Sequence, residues 1–447
     1  MADYGVKVAI LKINNLLMLC ICAVALFSAC EKGSDGGLLQ CSRDSDCAEG
    51  LVCNDNGKCI YVSDGDADRD FEIVNEEDVD IVESETLESE IDCEKETPED
   101  SESEEYEEIE SDLVESEPDE ETEEFYEYSV KVINLPMADI IPVLPTFAEK
   151  GLILYLNVMA SHIGDPDFAE LLRQAEIQNV PVKLWPLLTP EEGAWCNEDN
   201  SELFIQNVYA ILDYVQTLEN NVEIIVINSE LGPPKIDLIR QYFADGNLVE
   251  LYKLLKSNVD REKFVDSQNR IQAMVDEIHQ RGFMAQITTY PYLLDDLIDT
   301  DNDIQDAANV VLEGVEWDRL AFTPYSAAYT DDFEKPFGPY FVYSYSQMAR
   351  ERFGRKADIA LGLIAPGGTH TYETPQELAA DVAAAKAAGI HRIDVFDLAG
   401  MMKDDRFDEW AEALLAEPAI PPEEETTIDF HEDFALADSL LDGVNED

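Results

Sequence analysis

Asn228 and Glu230 close the run Val-Glu-Ile-Ile-Val-Ile-Asn-Ser-Glu, which begins at Val222 and is followed by Leu-Gly-Pro-Pro. In an extended strand, residues two apart share a face, so this spacing sets an amide beside a carboxyl. The prolines at 233 and 234 cannot continue a central strand, which puts the pair at its carboxyl end. Acid-base chemistry on a glycosidic bond needs two carboxyl groups, one raised in pKa to donate a proton and one ionised as base or nucleophile. Glu230 is the first candidate. Asp397, directly after the apolar run Arg392 to Phe396, is the second.

Other side chains follow similar runs and could line the same site. They are Asn157 and His162 after Leu152 to Val158, Trp185 within Val182 to Leu188, Tyr290 after Phe283 to Thr289, Tyr325 after Leu320 to Thr323, and His370 after Ile359 to Ile364. Aromatics, amides and acids together suit a sugar ring, whose apolar face stacks while its hydroxyls pair. Each has a structural alternative: a strand-end Glu can be merely solvated, Asp397 can cap the last helix, and Trp185 can belong to the core. The chain has five histidines, none paired at a metal-binding spacing, so no zinc or iron site is expected. No cofactor is expected either. Pro366-Gly367-Gly368 lacks the lysine and spacing of a phosphate loop, and no Gly-x-Ser-x-Gly elbow occurs.

Positioning such a set requires strands whose carboxyl ends converge. With Ser129 to Asn134, the runs named above make eight strand-like segments. They alternate with helix patterns such as Pro166 to Gln178, Asn200 to Leu218, Arg261 to Arg281, Pro375 to Ala388 and Asp404 to Leu415. Strand then helix, eight times over, is the pattern of an α/β fold of the (β/α)8 TIM-barrel type over residues 129–417, with an open doubly wound sheet as the rival. In a barrel the fourth and eighth strands face each other, which favours the wider carboxylate separation of an inverting hydrolase. Leu231 to Gly282 is longer than one crossover needs and carries two extra helix-like pieces, Ile236 to Phe243 and Leu248 to Ser257. It is either a wall for the site or a packing decoration.

The amino-terminal part is of another kind. Lys7 and Lys12 precede an apolar run, Leu16 to Phe27, of signal-peptide length. It leads into Ser28-Ala29-Cys30, which resembles the lipobox of bacterial lipoproteins. That resemblance implies removal of residues 1–29 and a lipid on Cys30, and Glu31 after the cysteine points to the outer membrane. Residues 30–63 carry Cys41, Cys47, Cys53 and Cys59 every six positions, a spacing that suits two disulfides outside the cytosol better than zinc. The string is similar to the small Dickkopf-like cysteine repeat of bacterial surface lipoproteins. Cys93 and Cys196 are expected as two separate thiols, with a bridge between them as the alternative.

Net charge is −69, and in Asp64 to Glu127 about half the residues are acidic. Segment 64–128 is therefore expected to be a disordered stalk spanning about 45 Å. The Asp-rich start at Asp64 lacks the glycine of a calcium loop. Such charge excludes nucleic acid as a partner and leaves the lipid anchor as the expected membrane contact. The tail, 418–447, is acidic, with Ile428 to Leu441 able to dock as an amphipathic piece.

The ending Ile-Asn-Ser-Glu230 is similar to the close of the fourth strand in chitinase-like glycoside hydrolase barrels, where Asp-x-Glu ends in the general acid. The resemblance implies that Glu230 protonates the leaving oxygen of a polysaccharide. Asn228 stands where that family has an Asp that orients the acetamido group, and Val226 where it has an earlier Asp. These departures sustain the alternative of a catalytically inactive barrel that binds a glycan or a partner protein. A monomer is expected in either case.

Overall fold

The computed structural model describes residues 51–53, 59–61, 125–133, 135–244, 247–297, 302–333, 337–365, 371–416, 419–423 and 430–431. The lipobox, Cys41, Cys47, residues 64–124 of the expected stalk, Cys93 and His370 lie outside them; residues 127 and 128, expected to belong to the stalk, are already part of the first barrel strand. Two compact units are present, 36–123 and a second one holding 124–447. In the first, Leu51–Cys53 and Cys59–Tyr61 form an antiparallel hairpin with Cys53 opposite Cys59.

The second unit is a closed barrel of eight parallel strands. They are β1 (Glu127–Val132), β2 (Ile153–Val158), β3 (Val182–Pro186), β4 (Val222–Asn228), β5 (Met284–Thr289), β6 (Arg319–Phe322), β7 (Ala357–Gly362) and β8 (Arg392–Phe396). Each strand pairs with its neighbour in sequence, and β8 pairs with β1, as Asp394 beside Ser129 shows. The open-sheet rival is thereby excluded.

The crossovers are α1 (Leu144–Lys150), α2 (Pro166–Ile177), α3 (Ser201–Val215), α4 (Pro233–Ala244), α5 (Leu248–Asn258), α6 (Arg261–Gln280), α7 (Ser326–Phe333), α8 (Gly338–Phe353), α9 (Pro375–Ala387), α10 (Leu398–Met402) and α11 (Phe407–Leu414). Their limits follow local chemistry. Asp165 accepts from the Asp167 N–H ahead of Pro166 at the first helical turn of α2, and Asp260 accepts from Lys263 N–H to start α6. Thr374 and Glu377 make a reciprocal capping box on α9. Gly151, at φ 66, ends α1 in the left-handed conformation that glycine adopts without strain.

Strand periodicity divides the interior in two. Outward residues such as Val130, Leu154, Leu184, Ile225 and Ile287 meet apolar helix faces, for example Phe168, Leu171 and Leu172 of α2, and all are buried. Inward residues are largely polar. The helices α4 and α5 confirm the two extra pieces after β4. Near the chain end, Phe430 sits within 5.3 to 6.2 Å of the rings of Tyr329, Phe337, Phe341 and Tyr345. His431 Nδ1 lies 2.7 Å from Asp295 Oδ1, so Phe430 and His431 pack against α7, α8 and the segment after β5.

Candidate active site in the barrel bore

Side-chain hydrogen bonds between strands, several of them across the barrel, fix which side chains fill the bore. At the floor, Glu127 of β1 meets Arg319 of β6 at 2.6 Å, and Asp358 of β7 meets Arg392 of β8 at 2.6 Å. One layer higher, Asp394 of β8 accepts from Ser129, from Lys183 Nζ at 2.7 Å and from Gln286 Nε2 at 2.9 Å. Lys183 Nζ also reaches Gln286 Oε1 at 3.1 Å. Burial pushes the Asp394 carboxyl up, but the charges of Lys183 and Lys131 and the donated hydrogen bonds outweigh it and hold it below the usual value. Asp394 is thus an ionised group whose lone pairs are already engaged.

Above this layer lies the mouth. Lys131 of β1 places its ammonium 5.0 Å from the Tyr155 ring centre and 5.9 Å from that of Trp185, and those two rings meet edge to face. Tyr155 and Thr288 approach at 3.3 Å between hydroxyls. Asn157 pairs with Trp185 in register, which puts it at the same height.

Glu230 stands over this group. Its backbone is clamped on two sides: Ser229 N–H donates to Thr288 O at 2.9 Å, and Glu230 N–H donates to Cys196 O at 3.2 Å. Cys196 itself, a free buried thiol pushed up to about 12 by burial, bridges to Ser229 in a parallel arrangement and donates its N–H to Asn228 O. Asn228 Nδ2 donates to Glu230 Oε1 at 2.8 Å, so the amide and carboxyl do share a face as their spacing requires. The Glu230 side chain is wholly enclosed, and burial raises its carboxyl well above the ordinary range, with Lys131 opposing. Glu230 Oε2, Asn228 Oδ1 and Trp185 Nε1 are buried without a hydrogen-bond partner among the described residues. Each such atom carries a desolvation cost, and these three stand on or directly after the neighbouring strands β3 and β4.

The other expected site residues divide. Tyr290 and Tyr325 are buried at strand carboxyl ends. Tyr290 stacks on Tyr292 at 5.0 Å. His162 is half-buried in the turn after β2, where its Nδ1 accepts from the Met159 N–H at 3.1 Å and its ring packs on Phe168. Its protonation is disfavoured by burial, against Asp165. Asp397 Oδ1 accepts from the Gly400 N–H at 2.9 Å and caps α10, the structural role its position allowed. Burial raises its carboxyl to about 6, against that hydrogen bond.

Sequence reasoning passed over Lys131, Lys183, Gln286 and Asp394. The signal was present in Ser-Val-Lys131-Val, Val-Lys183-Leu and Ile-Asp394-Val, where a charge alternates with β-branched or leucine residues. In a barrel strand whose apolar face lies under helices, an alternating charge points into the bore. Beside the mouth, the loop after β3 adds Glu198, whose carboxyl oxygens are buried with no hydrogen-bond partner among the described residues. The adjacent Asp199 bonds Lys235 of α4, Lys263 of α6 and Asn309, which fastens the insertion to this loop.

No family model matches the chain, and no curated protein does. Among solved structures it is similar to the glycoside hydrolase domain of PgaB (BpsB) from Bordetella bronchiseptica, at 11% identity and TM-score 0.40, covering 66% of this chain and 99% of that one. It is similar also to a D-tagatose 3-epimerase-like protein, at 10% identity and TM-score 0.37, covering 65% and 98%. An L-ribulose 3-epimerase matches at 10% identity and TM-score 0.37, covering 72% and 96%. The chain is an α/β (β/α)8 TIM barrel, as its strand pairing requires.

Proposed function

We propose that the barrel hydrolyses a polysaccharide, with Glu230 as the general acid. One observation carries this reading: a fully buried carboxyl at the barrel mouth, oriented by Asn228 through one oxygen and raised by burial well above the ordinary carboxyl range, which favours its protonated form. A carboxylic acid in that state can protonate a leaving oxygen in a site closed to water. Asp397, directly after the strand across the barrel and raised only to about 6, is mostly ionised at neutral pH and supplies the base. Environments that push two carboxyl groups apart in pKa are those expected of an acid and base pair. Lys131, Tyr155 and Trp185 form the platform on which the ring rests.

The second reading is a barrel that binds a glycan or a partner protein without turnover. It is favoured by the complete enclosure of Glu230 and by the cap that occupies Asp397 Oδ1. In both readings the barrel is displayed at the bacterial outer membrane from a lipid on Cys30, by way of the acidic segment.

The test is Glu230→Gln on the full chain, assayed against a panel of polysaccharides. Loss of turnover by a hundredfold or more with binding retained is expected. Equal turnover by the variant removes Glu230 from the mechanism, and binding without turnover by the wild type selects the second reading.

A further inference from the structure

Beside the mouth, a cleft of about 600 Å³ opens between α7, the start of α8 and the start of α9. That volume is in the range of small-molecule sites. Ser326, which follows Tyr325 of the mouth, lines it together with Tyr372 and Asp381. Asp381 is 2% exposed. Ser326 Oγ donates to Asp381 Oδ2, and Tyr372 Oη donates to the same oxygen at 2.6 Å.

The direction of those bonds decides what the cleft can accept. A hydroxyl has one proton to give, and both protons here are committed to the carboxylate. Ser326 Oγ, Tyr372 Oη and Asp381 Oδ1 therefore have only lone pairs left to offer in the cleft that they line. Glu373 and Glu377 add acceptors at its rim, Thr330 and Gln376 add a hydroxyl and an amide, and among the described residues no lysine, arginine or histidine lines it. Three carboxyl groups, Glu373, Glu377 and Asp381, make the described lining mainly an acceptor surface of negative charge, which repels carboxylates, sulfates and phosphates. It holds ligands that donate several hydrogen bonds without carrying negative charge.

We propose that this cleft is a second binding site, for the vicinal hydroxyls of a neutral saccharide ring. It lies next to Tyr325, so a chain whose one ring rests under Glu230 reaches it with a neighbouring ring. That continuity rests on the reading above; the cleft's own preference does not. Burial raises the Asp381 carboxyl to about 6, and protonation there would replace an acceptor with a donor, so binding weakens in acid.

The experiment uses the full chain carrying Glu230→Gln, so that turnover plays no part. Saturation-transfer NMR with glucose, galactose and mannose, and with glucuronate as the anionic control, reads binding directly. Ala380→Trp fills the cleft from an exposed position of α9, and Gln376→Trp, also exposed, fills it again from one turn earlier. At least one neutral hexose is expected to bind, glucuronate is expected not to, and both fillers are expected to weaken the hexose about tenfold or more. The proposal is overturned if no neutral hexose binds, if glucuronate binds as well as the hexoses, or if neither filler alters hexose binding. These results stand whether or not wild-type protein cleaves a polysaccharide.

Discussion

Glu198 gives the most quantitative handle on the region around the mouth. Its side chain is buried, its two oxygens meet no hydrogen-bond donor, and the nearest cation, Lys263 Nζ, is 3.9 Å away. Burial, reinforced by Asp306 and Asp199 and opposed by Lys263 and Lys235, raises the carboxyl to about 8 from an ordinary 4.5. Because the folded value is the higher one, the unfolded chain releases this proton first, and stability falls as pH rises through the interval between the two values. At 1.36 kcal/mol per unit, the loss is about 1 kcal/mol by pH 5, about 3 by pH 7 and about 5 once the group is ionised in both states. Glu198→Gln keeps the shape and removes the titration. Urea unfolding suits the comparison, since Trp185, Trp195, Trp317 and Trp410 all lie in the barrel unit and are buried. Between about pH 5 and pH 8 the variant should lose about 3 kcal/mol less stability than wild type. Parallel profiles for the two proteins would refute the assignment of a protonated, unpartnered acid at this position.

Two further outcomes follow from the bore. Asp394→Asn leaves the Lys183 ammonium, 2% exposed, without its carboxylate, and should cost about 3 to 5 kcal/mol by chemical denaturation; a loss under about 1 kcal/mol would show that the network contributes little. If Asp397 is the base, activity should rise with pH through about 6 and decline only at the higher pH where Glu230 ionises. Asp397→Asn should abolish the acid limb of that profile, whereas a residue that only caps α10 would leave the limb in place.

The strands were legible because each carries an apolar run bounded by turn chemistry, and their number and alternation with helices pointed to a barrel, while closure itself shows only in the pairing of β8 with β1. The pairing of Asn228 with Glu230 was legible from period two alone. The helix α8 was not, because Gly338-Pro339 opens a stretch in which Tyr, Ser and Phe mix without a clear apolar stripe; it forms by packing Phe341, Tyr345 and Ala349 into the core. The cap made by Asp397 was stated as an alternative, yet only coordinates tell an oxygen turned to Gly400 from one turned to a substrate. The enclosure of Glu230 was also hidden, since it depends on Cys196, distant in sequence, lying against Ser229.

The layer centred on Asp394 bears on how the barrel can form at all. Its carboxylate belongs to the last strand, while its donors come from the first, third and fifth, at sequence separations of 265, 211 and 108. A fragment ending before β8 would have to exclude water from Lys183 and Gln286 with nothing to neutralise the ammonium, an arrangement far costlier than leaving the ring open and wet. Half-barrels and seven-stranded intermediates are thereby penalised, and the ring should close in a single late step, making this barrel cooperative to its final strand.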